Sequence, residues 1–220
     1  MLNLLFPKVC NGCSKMLQST ENVICTSCRH QLPLACHHRS GNQGMKKIFY
    51  GRIPLENATS LLLFQKKGIT QQLLHNLKYR GQQEIGAFLG KWLGSELSEH
   101  PDFKGIDLVI PVPLHRKKRR IRGYNQVSRF AVEIAKKLEA DYSEDILLKR
   151  TGTRSQVFKN RLTRSQTDQI FELRDTELLK GKHILLVDDI VTTGATLENC
   201  ALQLIKNGDV RLSFATMAMA

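Results

Sequence analysis

His183-Ile184-Leu185-Leu186-Val187-Asp188-Asp189-Ile190-Val191-Thr192-Thr193-Gly194-Ala195-Thr196 is the stretch that decides the fold. From Ile184 to Val187 the apolar residues are consecutive rather than alternating. That is the mark of a strand covered on both faces. The strand is followed by two carboxylates. Thr192, Thr193, Gly194, Ala195 and Thr196 then offer consecutive backbone N–H groups, hydroxyl donors and the positive end of a helix read over Thr196–Lys206. Gly194 lets the backbone approach an anion closely. Such a cradle at the carboxyl end of a buried strand is where open α/β sheets bind ligands. Two carboxylates would repel a bare phosphate. They fit if they accept hydrogen bonds from sugar hydroxyls or help hold a cation, and a ribose 5-phosphate suits both halves. The alternative is a helix cap followed by a Thr-rich first turn, but a cap needs one carboxylate, not two.

Outward from this stretch, apolar strands alternate with helices. Residues 58–67 read as a strand. Ile69–Leu77 and Ile85–Leu97 read as helices, the second with Ile85, Phe88, Leu89, Trp92, Leu93 and Leu97 in its apolar stripe. Asp107–Pro113 is a short buried strand closed by prolines, Val127–Leu138 an amphipathic helix, and Val210–Met217 the last strand, with Gly208 capping the helix before it. Residues 150–170, rich in Arg, Ser, Thr and Gln, read as a long loop or weak helix. The alternation implies a parallel sheet with helices on both faces.

At 220 residues the chain suits one medium domain with a small appendage, and no stretch approaches the ~20 apolar residues of a membrane span. Met1–Lys8 is too short for a secretory signal and reads as an apolar arm. A cytoplasmic location follows as the expectation. The net charge of +13 points to an anionic partner, although a merely basic surface gives the same number. His115–Arg122 concentrates six of the cations in eight residues, as pyrophosphate or nucleic acid would require.

Five of the six cysteines lie in residues 1–38. Cys10-Asn11-Gly12-Cys13 and, eleven residues on, Cys25-Thr26-Ser27-Cys28 each let one tight turn aim two thiolates at one metal. Together they read as a Cys₄ zinc site, structural because no coordination position stays open. Gly12 is expected to serve an unusual backbone angle in the first turn. Cys36 with His37 and His38 reads as incidental, and Cys200 as buried core.

Leu185–Thr196 resembles the phosphoribosyl-pyrophosphate (PRPP) signature of type I phosphoribosyltransferases. Val109–His115, Arg120, Arg122-Gly123-Tyr124-Asn125-Gln126, Leu77-Lys78-Tyr79-Arg80-Gly81, the double-Cys knuckle and Arg150, Gln156 and Arg161 are similar to the ComF/GntX group of competence proteins. That group usually continues with an Asn-Val…Ala-Phe pattern where Gln169-Ile170-Phe171 stands here. The resemblance implies an α/β, type I phosphoribosyltransferase-like parallel sheet flanked by helices over residues 58–220. A connector over 39–57 joins it to a zinc-ribbon-like Cys₄ module over 1–38. It implies Asp188 and Asp189 as the catalytic carboxylates, facing the ribose hydroxyls. Arg116, Lys117, Arg120, Arg122, Lys78 and Arg80 would meet pyrophosphate or single-stranded DNA. Mg²⁺ would accompany PRPP or another phosphoribosyl ligand, and other competence proteins are expected partners. Two readings follow: a protein of DNA uptake and transformation that binds PRPP and single-stranded DNA, or an active phosphoribosyltransferase of nucleotide salvage. Tyr79 and Tyr124, flanked by cations, are the candidates for base stacking, against a core or hinge role for each.

Overall fold

In the computed structural model, which describes residues 7–35, 37–38, 44–150, 170–174 and 176–220, five parallel strands form a sheet in the order β1-β7-β6-β2-β3. They are β1 (Asn57–Leu63), β2 (Leu108–Pro111), β3 (Asp141–Tyr142), β6 (His183–Val191) and β7 (Arg211–Met219). β4 (Leu147–Arg150) and β5 (Ile170–Leu173) pair antiparallel beside it. The helices are α1 (Thr26–His30), α2 (Gly44–Lys47), α3 (Ile69–Tyr79), α4 (Glu84–Glu99), α5 (Arg116–Arg122), α6 (Ser128–Leu138) and α7 (Ala195–Asn207). The chain leaves β2 for β3 on one side and returns to β6 on the other. The strand order therefore reverses between β2 and β6, where such sheets open a ligand crevice.

Alternate residues of the strands feed two cores. Val109, Leu185, Val187, Ala215 and Met217 pack with α3, α4 and α6, whereas Ile110, Ile184, Leu186, Leu212 and Phe214 pack with α7 and the 44–55 segment. α4 and α6 approach at backbone distance along Gly86, Gly90 and Gly94. A Cβ on Gly90 would lie 2.5 Å from the Phe130 carbonyl oxygen. This contact fixes where α6 begins.

The structure shifts several boundaries. β1 ends at Leu63 rather than residue 67, because a turn follows in which Lys67 takes φ +60. β6 runs past Val187 to Val191, since Asp188, Ile190 and Val191 stay in register with Thr216, Ala218 and Met219. Asp188 and Asp189 are thus strand residues. Arg116–Arg122 forms a helix: Arg and Lys favour helix, the His115 imidazole accepts from the Lys117 N–H at its start, and Gly123 at φ +78 ends it. Within the stretch read as a polar connector, Met45, Phe49 and Ile53 recur every four residues and are buried, and the Phe49 ring meets Phe214 edge-on at 4.9 Å.

Nor does the cysteine segment stand apart. Cys10, Ile24, Cys28 and Leu32 share one core with Leu61, Leu73 and Leu77. Pro33 and Ala35 bond to the outer edge of β1, closing it against pairing with another chain. The stretch 151–169, with Gln156 and Arg161, and Cys36 lie outside the described residues.

Candidate functional site

Asp188 and Asp189 are consecutive on a strand, so their side chains point to opposite faces. Asp189 is 5% exposed and faces the α3/α6 layer. Its Oδ2 forms an ion pair with Lys78 Nζ at 3.0 Å and accepts from Gln126 Nε2 at 2.8 Å. Among the described residues, no protein donor is seen on its Oδ1. Asp188 faces the α7 layer, near Cys200 and Lys149, and its Oδ1 accepts the Asp189 N–H at 2.8 Å. Burial, then the charge of Asp189, pushes its carboxyl up to about 8 against the pull of Lys78 and Lys149. The two carboxylates therefore differ: one is ion-paired, the other held toward its neutral form.

Gln126 joins this site to the basic helix. Its Oε1 accepts from Arg122 Nη1 at 2.7 Å while its amide donates to Asp189. Asn125 fixes the turn that carries it, donating from Nδ2 to the Val112 carbonyl at 3.1 Å and accepting the Val127 N–H at 3.2 Å. The Arg122 guanidinium lies 5.3 Å over the Tyr79 ring, whose other neighbour is His75. Exposed Tyr79 thus supports an arginine. Tyr124 is part-buried and donates to the Leu77 carbonyl, which ties α3 to the turn after α5. Burial raises its phenol above the ordinary value. Its hydroxyl is therefore committed to the backbone of α3.

Of the expected cations, Lys78 pairs with Asp189 and Arg122 bonds Gln126, whereas Arg80, Arg116, Lys117 and Arg120 are exposed to solvent. The residues not assigned to the site from sequence are Gln126, whose burial rests on the tight α4–α6 packing, and Lys149, on strand β4 at the edge of the polar 150–170 stretch. Lys149 stands 5.3 Å over the Phe171 ring, and burial holds its ammonium below the ordinary range.

Thr192 and Thr193 are exposed at the end of β6, Gly194 has φ +79, and Ala195 and Thr196 open α7. The glycine is required by the fold itself. A Cβ there would lie 2.5 Å from Phe49 Cε1 and 3.0 Å from Ile48 Cγ2, so a side chain strikes the 44–55 segment. A cavity of about 450 Å³ lined by Lys46, Phe49, Arg52 and Leu55 lies on the same segment and includes neither aspartate.

The four knuckle cysteines converge. The sulfurs of Cys10, Cys13, Cys25 and Cys28 all lie within 4.8 Å of one another, with Cys13 and Cys25 at 3.8 Å. A tetrahedral ion with metal–sulfur bonds of ~2.3 Å sets its ligands about 3.8 Å apart, so the cluster fits one metal ion. Backbone N–H groups of Gly12 (3.3 Å) and Cys25 (3.2 Å) point at Cys10 Sγ. Burial opposes ionisation of Cys10, but these bonds and that of Cys13 outweigh it and bring the thiol down to about 7. Gly12 serves by its size: a Cβ would lie 3.0 Å from Cys28 Sγ, while the left-handed residue of this turn is Ser14 at φ +61. His37 and His38 do not join the cluster. His38 is buried between Thr59 Oγ1 at 2.9 Å and Glu96 Oε2 at 2.8 Å.

Residues 128–219 match the phosphoribosyl transferase domain family, which spans the sheet from α6 to β7. Over 205 residues the chain is 27% identical to the DNA utilization protein YhgH of Escherichia coli O157:H7, covering 91% of this chain and 85% of that one. It is 27% identical over 208 residues to the competence protein ComFC of Bacillus subtilis, covering 91% and 79%. The likeness to these DNA utilization and competence proteins thus runs over most of each chain. Among solved structures, the PRPP amidotransferase of B. subtilis is similar at a TM-score of 0.42 and 17% identity, over 64% of this chain and 30% of that one. Among the described residues, no helix is long and apolar enough to cross a membrane.

Proposed function

We propose that this chain binds PRPP at the β2–β6 switch point and serves in the handling of incoming DNA, a reading supported by relatives named for DNA utilization and competence. The 5′-phosphate takes the N–H groups of Thr192–Thr196, and the ribose hydroxyls face Asp188 and Asp189. The pyrophosphate meets Lys78, Arg122 and the cations of α5. The observation that carries this reading is Asp189. A buried carboxylate has one oxygen held by Lys78 and Gln126 and the other left for a hydroxyl, near the loop that opens α7. Mg²⁺ bound with the ligand supplies neutralisation of the pyrophosphate oxygens. Asp188 is the carboxylate a nearby cation would relieve, because burial and Asp189 disfavour its charge. The Cys₄ cluster holds Zn²⁺ as a structural ion, and the exposed face of α5, with Arg80, takes single-stranded DNA in the cytoplasm.

Calorimetric titration with PRPP and Mg²⁺ tests the sugar-phosphate site. Asp188→Asn and Asp189→Asn should each weaken binding by on the order of 1–3 kcal/mol. Equal affinity in wild type and both variants would reduce Asp188-Asp189 to structural residues. For DNA, Arg116→Glu, Lys117→Glu and Arg120→Glu together should lower the slope of log K against log salt by about 2. An unchanged slope would move the DNA site elsewhere. Pyrophosphate release with a panel of nucleobases separates binding from transferase turnover.

A further inference from the structure

The 44–55 segment has no part in the site as drawn so far, yet it grips the Thr192–Thr196 loop from outside. Its base is fixed to the sheet. Met45 is fully buried and accepts a long contact from Thr216 Oγ1 at 3.9 Å, and Phe49 packs on Phe214 of β7. From that base Arg52 reaches across. Its Nη1 pairs with Glu198 Oε2 at 2.7 Å, in the first turn of α7. Its Nη2 donates to the Thr193 carbonyl at 3.1 Å and to the Ile48 carbonyl. The guanidinium lies 5.5 Å over the Phe49 ring. One planar fork thus joins the loop, the helix that follows it and the segment that bears it, as only arginine can.

The peptide geometry gives this grip a direction. In a trans peptide the C=O of one residue and the N–H of the next point opposite ways. Holding the Thr193 carbonyl toward Arg52 turns the Gly194 N–H away from it, toward the open side of the loop. Phe49 and Ile48, occupying the place of a Gly194 side chain, prevent that peptide from rolling back.

We propose that Arg52 is a positioning residue for the phosphate loop: it holds the Thr193–Gly194 peptide so that the amide donors face the ligand, and the 44–55 segment is part of the binding site. The inference rests on the reading of Thr192–Thr196 as a phosphate cradle. The test is made so that the two can fail separately. Amide hydrogen exchange over 192–198 is measured without ligand in wild type, Arg52→Met, Arg52→Lys and Glu198→Ala. Ribose 5-phosphate is then titrated into each, with thermal melting to verify the fold. Arg52→Met should speed exchange at Ala195 and Glu198, whose N–H groups bond Thr193 Oγ1 and the Gly194 carbonyl, and weaken ribose 5-phosphate by about tenfold, equivalent to ~1.4 kcal/mol. Arg52→Lys, able to satisfy one acceptor at a time, should fall between, and Glu198→Ala should loosen the loop less than Arg52→Met. Unchanged exchange in all three variants overturns the proposal. Unchanged exchange with weakened binding also overturns it, since Arg52 would then contact the ligand itself. Faster exchange in a protein whose wild type binds no ribose 5-phosphate leaves Arg52 as the loop's anchor and sinks the phosphate reading instead.

Discussion

Lys78→Met removes the charge from the buried pair at the centre of the site while keeping the length of the side chain. Asp189 is 7% exposed at its side chain and Lys78 21%, with the ammonium 3.0 Å from the carboxylate. Breaking a fully buried pair typically costs about 3–5 kcal/mol. Here Lys78 is partly in solvent, and Gln126 still donates at 2.8 Å, so the expected loss is about 2 kcal/mol at neutral pH. For a chain of 220 residues that corresponds to a fall in Tm of about 4–8 °C. The cause is an uncompensated charge, which gives the loss a signature. Asp189→Asn in the Lys78→Met background should restore most of the stability, because a neutral amide needs no counter-ion. The assay is denaturant unfolding of the four proteins of the double-mutant cycle. If Lys78→Met costs the same in the Asp189→Asn background as in the wild type, the pair is not coupled and the reasoning fails.

Gly194→Ala should lose about 2 kcal/mol or more, from a left-handed φ and a Cβ driven into Phe49, and melting curves will register it; wild-type stability would contradict the loop geometry. Cys28→Ser should abolish the single bound metal in elemental analysis and lower the melting of the whole protein, because Cys28 shares its core with Leu61 and Leu73; unchanged metal content would exclude the cluster. Asp188, at about 8 in the fold against an ordinary carboxylate near ~3.9, keeps a proton that the unfolded chain has lost, so stability should fall as pH rises between about 4 and 8. Asp188→Asn should flatten that profile, and an identical profile in the variant would disprove the raised carboxyl.

The parallel sheet was legible from Ile184–Val187 and Asp107–Pro113, because strands buried on both faces carry unbroken apolar runs. The cysteine knuckles were legible from spacing alone, since metal geometry demands it. What the pattern concealed was tertiary. Met45, Phe49 and Ile53 repeat at helical spacing among polar residues, too sparsely to mark a buried segment, and only Phe214 and Gly194 across the chain give them meaning. Gln126 reads as one more polar residue after Tyr124. Its role depends on α6 being seated on the glycines of α4, a contact between elements far apart in sequence. Strand β6 was cut short at Val187 because aspartates are poor strand formers. Pairing with β7 overrides that preference.

Asp188 and Asp189 lean into different layers of the molecule, one toward α7 and the other toward α3 and α6. A small molecule that engages both is therefore a rivet driven through the end of the sheet. It would resist shear between the two helical layers as well as the opening of either, and its binding energy would be felt by the whole fold at once.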